Sequence, residues 1–305
     1  LKSTVFYSAL LAATANLFWA ANAIVGKAVV ASLPAFTLSQ FRWALAFLIL
    51  APFGIPKIVK QWPWYRDNLF RLILLSTLSV ALYNTLQYWS LEYTEPVNVG
   101  AMLALMPLAI SIVSGFFGGR RLTLIEWGTT SVAVIGALIV VTNGHILSLF
   151  GNEQGGKGEL LMATAVTCWA FYSVLLKKTP HQSISMIGLL TFFLGMGTVL
   201  ILPFWVSDVI TEPVFIPTGT LWWSVLFVAV FPSIVSYLCW NNAIRLGDAT
   251  IAGLMVTLAP LFNALLSIIF LNQSVSSVQW FGISVVMTGV ISTLLLSKKF
   301  ARARH

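Results

Sequence analysis

Apolar residues come along this chain in long runs with few polar interruptions. A helix that crosses a bilayer needs about 20 mostly apolar residues. Ten segments qualify, at roughly 6–26, 36–54, 70–91, 96–118, 125–143, 159–176, 184–205, 220–244, 249–271 and 278–296. The stretches between them are short and leave no room for a soluble domain. The pattern therefore predicts an all-α, polytopic membrane protein with ten transmembrane helices.

Composition agrees. Of 305 residues, 58% are hydrophobic and 9% charged, against about 25% charged in a typical soluble domain. The formal charge of +8 belongs to loops rather than to a nucleic-acid-binding face. With the N-terminus placed in the cytoplasm, 14 of the 17 Lys and Arg fall inside. Lys27 and Lys157 fall outside, and Arg42 lies within a span. That bias sets both termini in the cytoplasm, in a bacterial-type inner membrane. The two cysteines, Cys168 and Cys239, sit in apolar runs, and no Cys/His cluster has metal-ligand spacing.

The second half repeats the first. At a shift of 153, "YTEPVNVGAMLALMPL" (93–108) aligns with "LGDATIAGLMVTLAPL" (246–261). Gly100 meets Gly253, Pro107 meets Pro260, Trp127 meets Trp280 and Gly136 meets Gly289. At a shift of 150, "FWAANAIVGK" (18–27) aligns with "CWAFYSVLLK" (168–177), placing Trp19 on Trp169. Five helices per half make the second copy run opposite to the first. The expected organisation is an N-terminal repeat, 1–147, and an inverted C-terminal repeat, 148–305. This is a known transporter plan, with the substrate site between the repeats near the bilayer midplane.

These residues resemble the ten-helix, EamA-type branch of the drug/metabolite transporter superfamily. The doubled five-helix pattern carries the resemblance. So do the "A…G…L…L.PL" helix at 96–108 and 249–261, the "W.G" after each, and Arg42 following "LPAFTLSQF". The aromatic content points within that branch to YddG-type aromatic amino acid exporters. One departure is clear. A glutamate that many members carry before the fifth and tenth helices is replaced by Arg120 and Gln273, so its role does not transfer.

Candidate lining residues are Trp19, Asn22, Tyr83, Gln87, Trp169, Tyr172, Tyr237 and Asn241. Polar groups inside a membrane are costly and often functional, although each also suits hydrogen bonding between helices. Trp19 and Trp169 lie deep in their helices, where an indole can stack on a substrate or simply pack. Tyr172 shares a helix face with Trp169. Trp43, Trp62, Trp64, Trp205, Trp222 and Trp223 fit the interfacial belt. Pro107 and Pro260, with Gly100 and Gly253, fit helix-shaping positions, as hinges or as static kinks. Ser111, Gly115 and Gly119 read as a close-packing stripe. Three roles are open to Arg42: snorkelling outward, anchoring carbonyls, or meeting a substrate carboxylate.

No Asp, Glu or His lies deep in a span, which disfavours a strongly cationic substrate. A neutral or zwitterionic, amino-acid-like small molecule suits the aromatic and amide groups better. A broad drug or lipophilic metabolite exporter is the alternative. An intramembrane enzyme needs a catalytic pair at depth, and none is present. No cofactor or metal is expected. "GNEQGGKG" (151–158) is near the P-loop pattern but has Gly158 where Ser or Thr binds Mg²⁺, so no nucleotide is expected. Ala21-Asn22-Ala23 imitates a signal-peptidase site, but the repeat makes this segment the first helix, which is expected to stay uncleaved.

Overall fold

The computed structural model describes residues 2–30, 34–90, 92–94, 99, 102–117, 123–145, 147, 156–179, 183–211, 219–247, 249–272 and 274–303. Among the described residues there is no strand. Eight helices are long and apolar enough to cross a membrane, and two shorter apolar helices, Met106–Phe116 and Ser277–Thr293, join them. Each of the ten expected spans thus carries a helix, and the chain is a polytopic helical membrane protein.

In order they are α1 (Lys2–Val30), α2 (Ala35–Lys60), α3 (Leu69–Ser90), α4 (Met106–Phe116) and α5 (Leu124–Thr142). Then come α6 (Lys157–Lys178), α7 (Met186–Thr211) and α8 (Thr220–Val228, Ala229–Val235 and Ser236–Leu246). The last are α9 (Ala249–Leu254, Met255–Leu258 and Ala259–Leu271) and α10 (Ser277–Ala303). Helix α2 outruns its apolar segment and continues to Lys60 through Pro52 and Pro56. Lys57 and Lys60 in its last turn complement the helix dipole. Helix α5 starts on a capping box, in which Thr123 and Glu126 satisfy each other's backbone N–H.

The main packings join the two halves: α1 with α8, α2 with α7, α3 with α6, α4 with α6 and α9, α5 with α10, and α1 with α9. Exchanging each helix with the one five places away turns this set into itself. The finest example is α5 on α10. A Cβ on Gly136 would lie 2.6 Å from the Val286 backbone nitrogen, and one on Gly289 would lie 2.5 Å from that of Ala133. The shift of 153 maps one contact onto the other. Thr129 and Thr293 hydrogen bond at 2.7 Å, and their counterparts Gly282 and Val140 also touch. Small residues here let two backbones approach within the membrane.

The expected stripe at Ser111, Gly115 and Gly119 differs. Nothing approaches a Cβ built on Gly115, and Ser111 bonds the Pro107 carbonyl of its own helix. Gly119 lies outside the described residues, as do Gly100, Arg120 and Gln273. Pro107 sits in the first turn of α4, and a single turn residue, Leu105, separates α4 from the helical residues 102–104. Pro260 sits in the first turn of the segment that follows the 3₁₀ stretch Met255–Leu258. The tighter turn fits a proline that lacks the N–H for an α-helical bond. Gly253 faces Ile110 of α4, whose Cδ1 lies 2.8 Å from a built Cβ.

Candidate functional site

Two of the central helices contain a π-helical stretch, Thr77–Leu82 in α3 and Ala229–Val235 in α8. They occupy matching places in the two halves. Where the bonding returns from five-residue to four-residue spacing, one backbone carbonyl is skipped. The N–H of Tyr83 still reaches Leu78 and that of Ser236 still reaches Phe231, which makes Ser79 and Pro232 the skipped residues. A buried carbonyl without a partner costs about 1–3 kcal/mol. Side chains satisfy both. The Ser79 oxygen accepts from the Tyr237 hydroxyl at 2.8 Å and from Asn84 Nδ2 at 3.0 Å. The Pro232 oxygen accepts from Trp19 Nε1 at 2.9 Å and from Arg42 Nη2 at 3.5 Å.

Two of these donors, Trp19 and Tyr237, belong to one aromatic cluster. Trp169 lies at its centre, with ring centroids 5.4 Å from Trp19, 4.7 Å from Tyr83, 5.2 Å from Tyr172, 5.4 Å from Tyr237 and 5.5 Å from Trp240. Trp43 stands edge-on to Tyr237 at 5.2 Å. Trp169, Tyr172, Tyr237 and Trp240 are fully buried, whereas Trp19 and Tyr83 are half-buried. The Tyr172 hydroxyl donates to Asn241 Oδ1.

The repeat is not perfectly kept at the hydrogen bonds. Trp19 Nε1 has the Pro232 carbonyl. Its counterpart Trp169 Nε1 has no partner among the described residues, because Tyr237 and Asn84 hold the Ser79 carbonyl that would match. The indole N–H of Trp240 and the hydroxyl of Ser173, one turn beyond Trp169, are buried and unpaired too. The centre of the protein therefore offers donors that nothing among the described residues accepts.

Arg42 adjoins the cluster and is 3% exposed. Its Nε donates to Ser233 Oγ at 2.6 Å, and its Nη1 to the Tyr88 hydroxyl at 3.0 Å and to Asn84 Oδ1 at 3.5 Å. Its guanidinium carbon stands 4.5 Å from the centre of the Trp43 ring. Burial this deep excludes snorkelling, and of the three roles open to it the anchoring of a carbonyl is visible at Pro232.

Of the expected residues, Trp19, Tyr83, Trp169, Tyr172, Tyr237 and Asn241 come together here. Asn22 and Gln87 do not join the ring contacts. Asn22 leaves its Oδ1 buried without a partner, and Gln87 is half-buried, its backbone carbonyl bonded by Ser90. Trp43 corrects the belt reading. It is 0% exposed, because its ring turns onto Tyr237 rather than toward lipid. Sequence reasoning left Trp240 aside. The signal was present, since Tyr237 and Trp240 stand three residues apart, as do Trp169 and Tyr172.

Among the described residues, apolar helices enclose a buried aromatic and polar centre built from both halves, and this defines a polytopic helical membrane protein. The sequence model of the EamA-like transporter family matches residues 6–142 and again 156–295, and the chain belongs to that family. It is a transporter rather than an enzyme, an integral membrane protein acting on a small-molecule substrate. The uncharacterized transporter YetK of Bacillus subtilis is 26% identical over 291 residues, covering 91% of this chain and 84% of its own length. The aromatic amino acid exporter YddG of Ancylobacter novellus is 21% identical, covering 95% and 98%. A riboflavin transporter of Vibrio cholerae is 27% identical over 183 residues, covering 57% and 56%. A solved crystal structure superposes with a TM-score of 0.78 at 19% identity, covering 96% of this chain and 98% of that one; it speaks for the fold alone.

Proposed function

We propose that this transporter exports neutral or zwitterionic amino acids with aromatic or other apolar side chains across a bacterial inner membrane. The observation that carries this is the cluster around Trp169. Aromatic faces from both halves meet there beside unpaired indole and hydroxyl donors. Flat rings favour an aromatic body, and unpaired donors favour an acceptor on the same molecule. The name of the Ancylobacter novellus relative supports the same substrate class, and the basic loop bias supports cytoplasmic termini.

The mechanism is alternating access between two inverted repeats, 1–147 and 148–305. The packings that map onto themselves and the doubled family match support that division. Two similar halves have two nearly equivalent arrangements, each half taking the other's conformation. Trp19 on the Pro232 carbonyl marks one of them. In the reciprocal state Trp169 takes the Ser79 carbonyl, Tyr237 releases it, and Trp19 lets Pro232 go. Two indoles thus exchange two skipped carbonyls.

The reading is tested by ligand-induced stabilisation of purified protein, since a ligand that binds only the folded state raises the melting midpoint with concentration. Phenylalanine and tryptophan should raise it, threonine less, and aspartate not at all. Stabilisation by riboflavin or a lipophilic cation, with none by any amino acid, would instead favour the broad metabolite exporter.

A further inference from the structure

We propose that Arg42 is a carboxylate-binding site, and hence that the substrate of this transporter must carry a carboxylate beside its apolar body. The proposal rests on the amino-acid export reading and adds to it the group that recognises the acid end. Arginine cannot lose its proton in a protein. A charge taken out of water is costly unless an opposite charge compensates it. Among the described residues every hydrogen-bond partner of Arg42 is neutral: the Ser233 and Tyr88 hydroxyls, the Asn84 amide and the Pro232 carbonyl. The Trp43 ring offers only a weak cation–π contact. Among the described acidic groups toward this end, Asp208 bonds Thr37, five residues earlier and more than a helical turn away along the axis, Glu159 bonds Thr94, and Glu92 is exposed.

The geometry of the guanidinium suits a ligand. Its inner nitrogen is fixed, since Ser233 accepts at 2.6 Å while donating to the Val228 carbonyl at 2.8 Å. Its outer edge is loosely held, with two of three contacts at 3.5 Å, the limit of a hydrogen bond. A carboxylate presents two oxygens that match this edge as a bidentate pair. Tyr88, which borders the edge, is half-buried. Asn84 and Tyr237, bonded to each other at 3.2 Å, connect the edge to the Trp169 rings. One molecule can then set its carboxylate on Arg42 and its apolar body on the cluster. Binding would also draw Arg42 off the skipped Pro232 carbonyl and off Asn84, which holds the skipped Ser79 carbonyl, and this links recognition to the exchange of states.

The test is counterflow of labelled phenylalanine in proteoliposomes, with unlabelled competitors. 3-Phenylpropionate keeps the carboxylate and lacks the amine; phenylalaninamide keeps the amine and lacks the carboxylate. The acid should compete, and the amide should compete at least about tenfold less well, in line with a charge-assisted bond. Arg42→Lys should weaken phenylalanine flux and Arg42→Gln abolish it, with monodispersity in detergent as the check on folding. The competitor series needs no variant and decides the matter even if neither variant folds. Equal competition by acid and amide overturns the carboxylate site while leaving amino-acid export standing. Absence of phenylalanine flux in the unaltered protein overturns both.

Discussion

A Trp169→Ala protein is expected to lose transport and about 3–5 kcal/mol of stability, the usual cost of emptying a large aromatic site in a packed core. Five rings lose a neighbour at once, and the cavity opens where the two halves meet. Transport lost through unfolding would say little about mechanism, so the informative comparison is Trp169→Phe. That change keeps a ring and removes an N–H that has no partner in this state. Its melting midpoint should stay close to that of the unaltered protein. Its flux should fall about five- to tenfold, because the reciprocal state loses a hydrogen bond to Ser79 worth about 1 kcal/mol. Trp19→Phe should behave differently: it breaks the bond to Pro232 and lowers the midpoint of the state seen here. Equal midpoints for the two phenylalanine variants would sink the exchange of indoles.

Asn84→Asp carries the second large expectation. The Asn84 oxygen already stands 3.5 Å from the Arg42 outer edge. A carboxylate in its place supplies the missing counter-charge from within the chain and occupies the edge proposed for the substrate. Flux of phenylalanine should drop at least about tenfold, while the protein remains folded. Asn84→Leu is the comparison. It removes the same donor from Ser79 but provides no charge, so it should melt at a lower temperature than Asn84→Asp. Thermal melts and flux on the two variants check this. An aspartate variant that transports normally contradicts it.

The fold was legible because membrane solvation leaves a strong mark: every span declared itself by length and apolarity. The pairing of halves was legible in Gly136 with Gly289 and Trp19 with Trp169, since a repeated packing constraint leaves repeated residues. Side-chain direction was not. Trp43 and Arg42 stand side by side two turns into α2, where position along the helix suggests the interface. Their burial is decided by α8, which lies across them and supplies Ser233 and Pro232. The π stretches were also invisible, as no residue type demands one. Without them the skipped carbonyls of Ser79 and Pro232 could not be foreseen, and Asn84 and Trp240 had no evident task. At Pro107 the apolar run continues through a helix interrupted by a single turn residue, Leu105, between residues 102–104 and α4.

The central claim is that aromatic amino acids cross the membrane through the cluster that Trp169 joins. Counterflow in proteoliposomes loaded with unlabelled tryptophan measures this most directly, with external labelled phenylalanine and threonine and with and without a pH gradient. The account predicts rapid accumulation of phenylalanine, slower accumulation of threonine, and loss of both in Trp169→Ala. No accumulation of any amino acid, alongside uptake of a lipophilic cation, would contradict it.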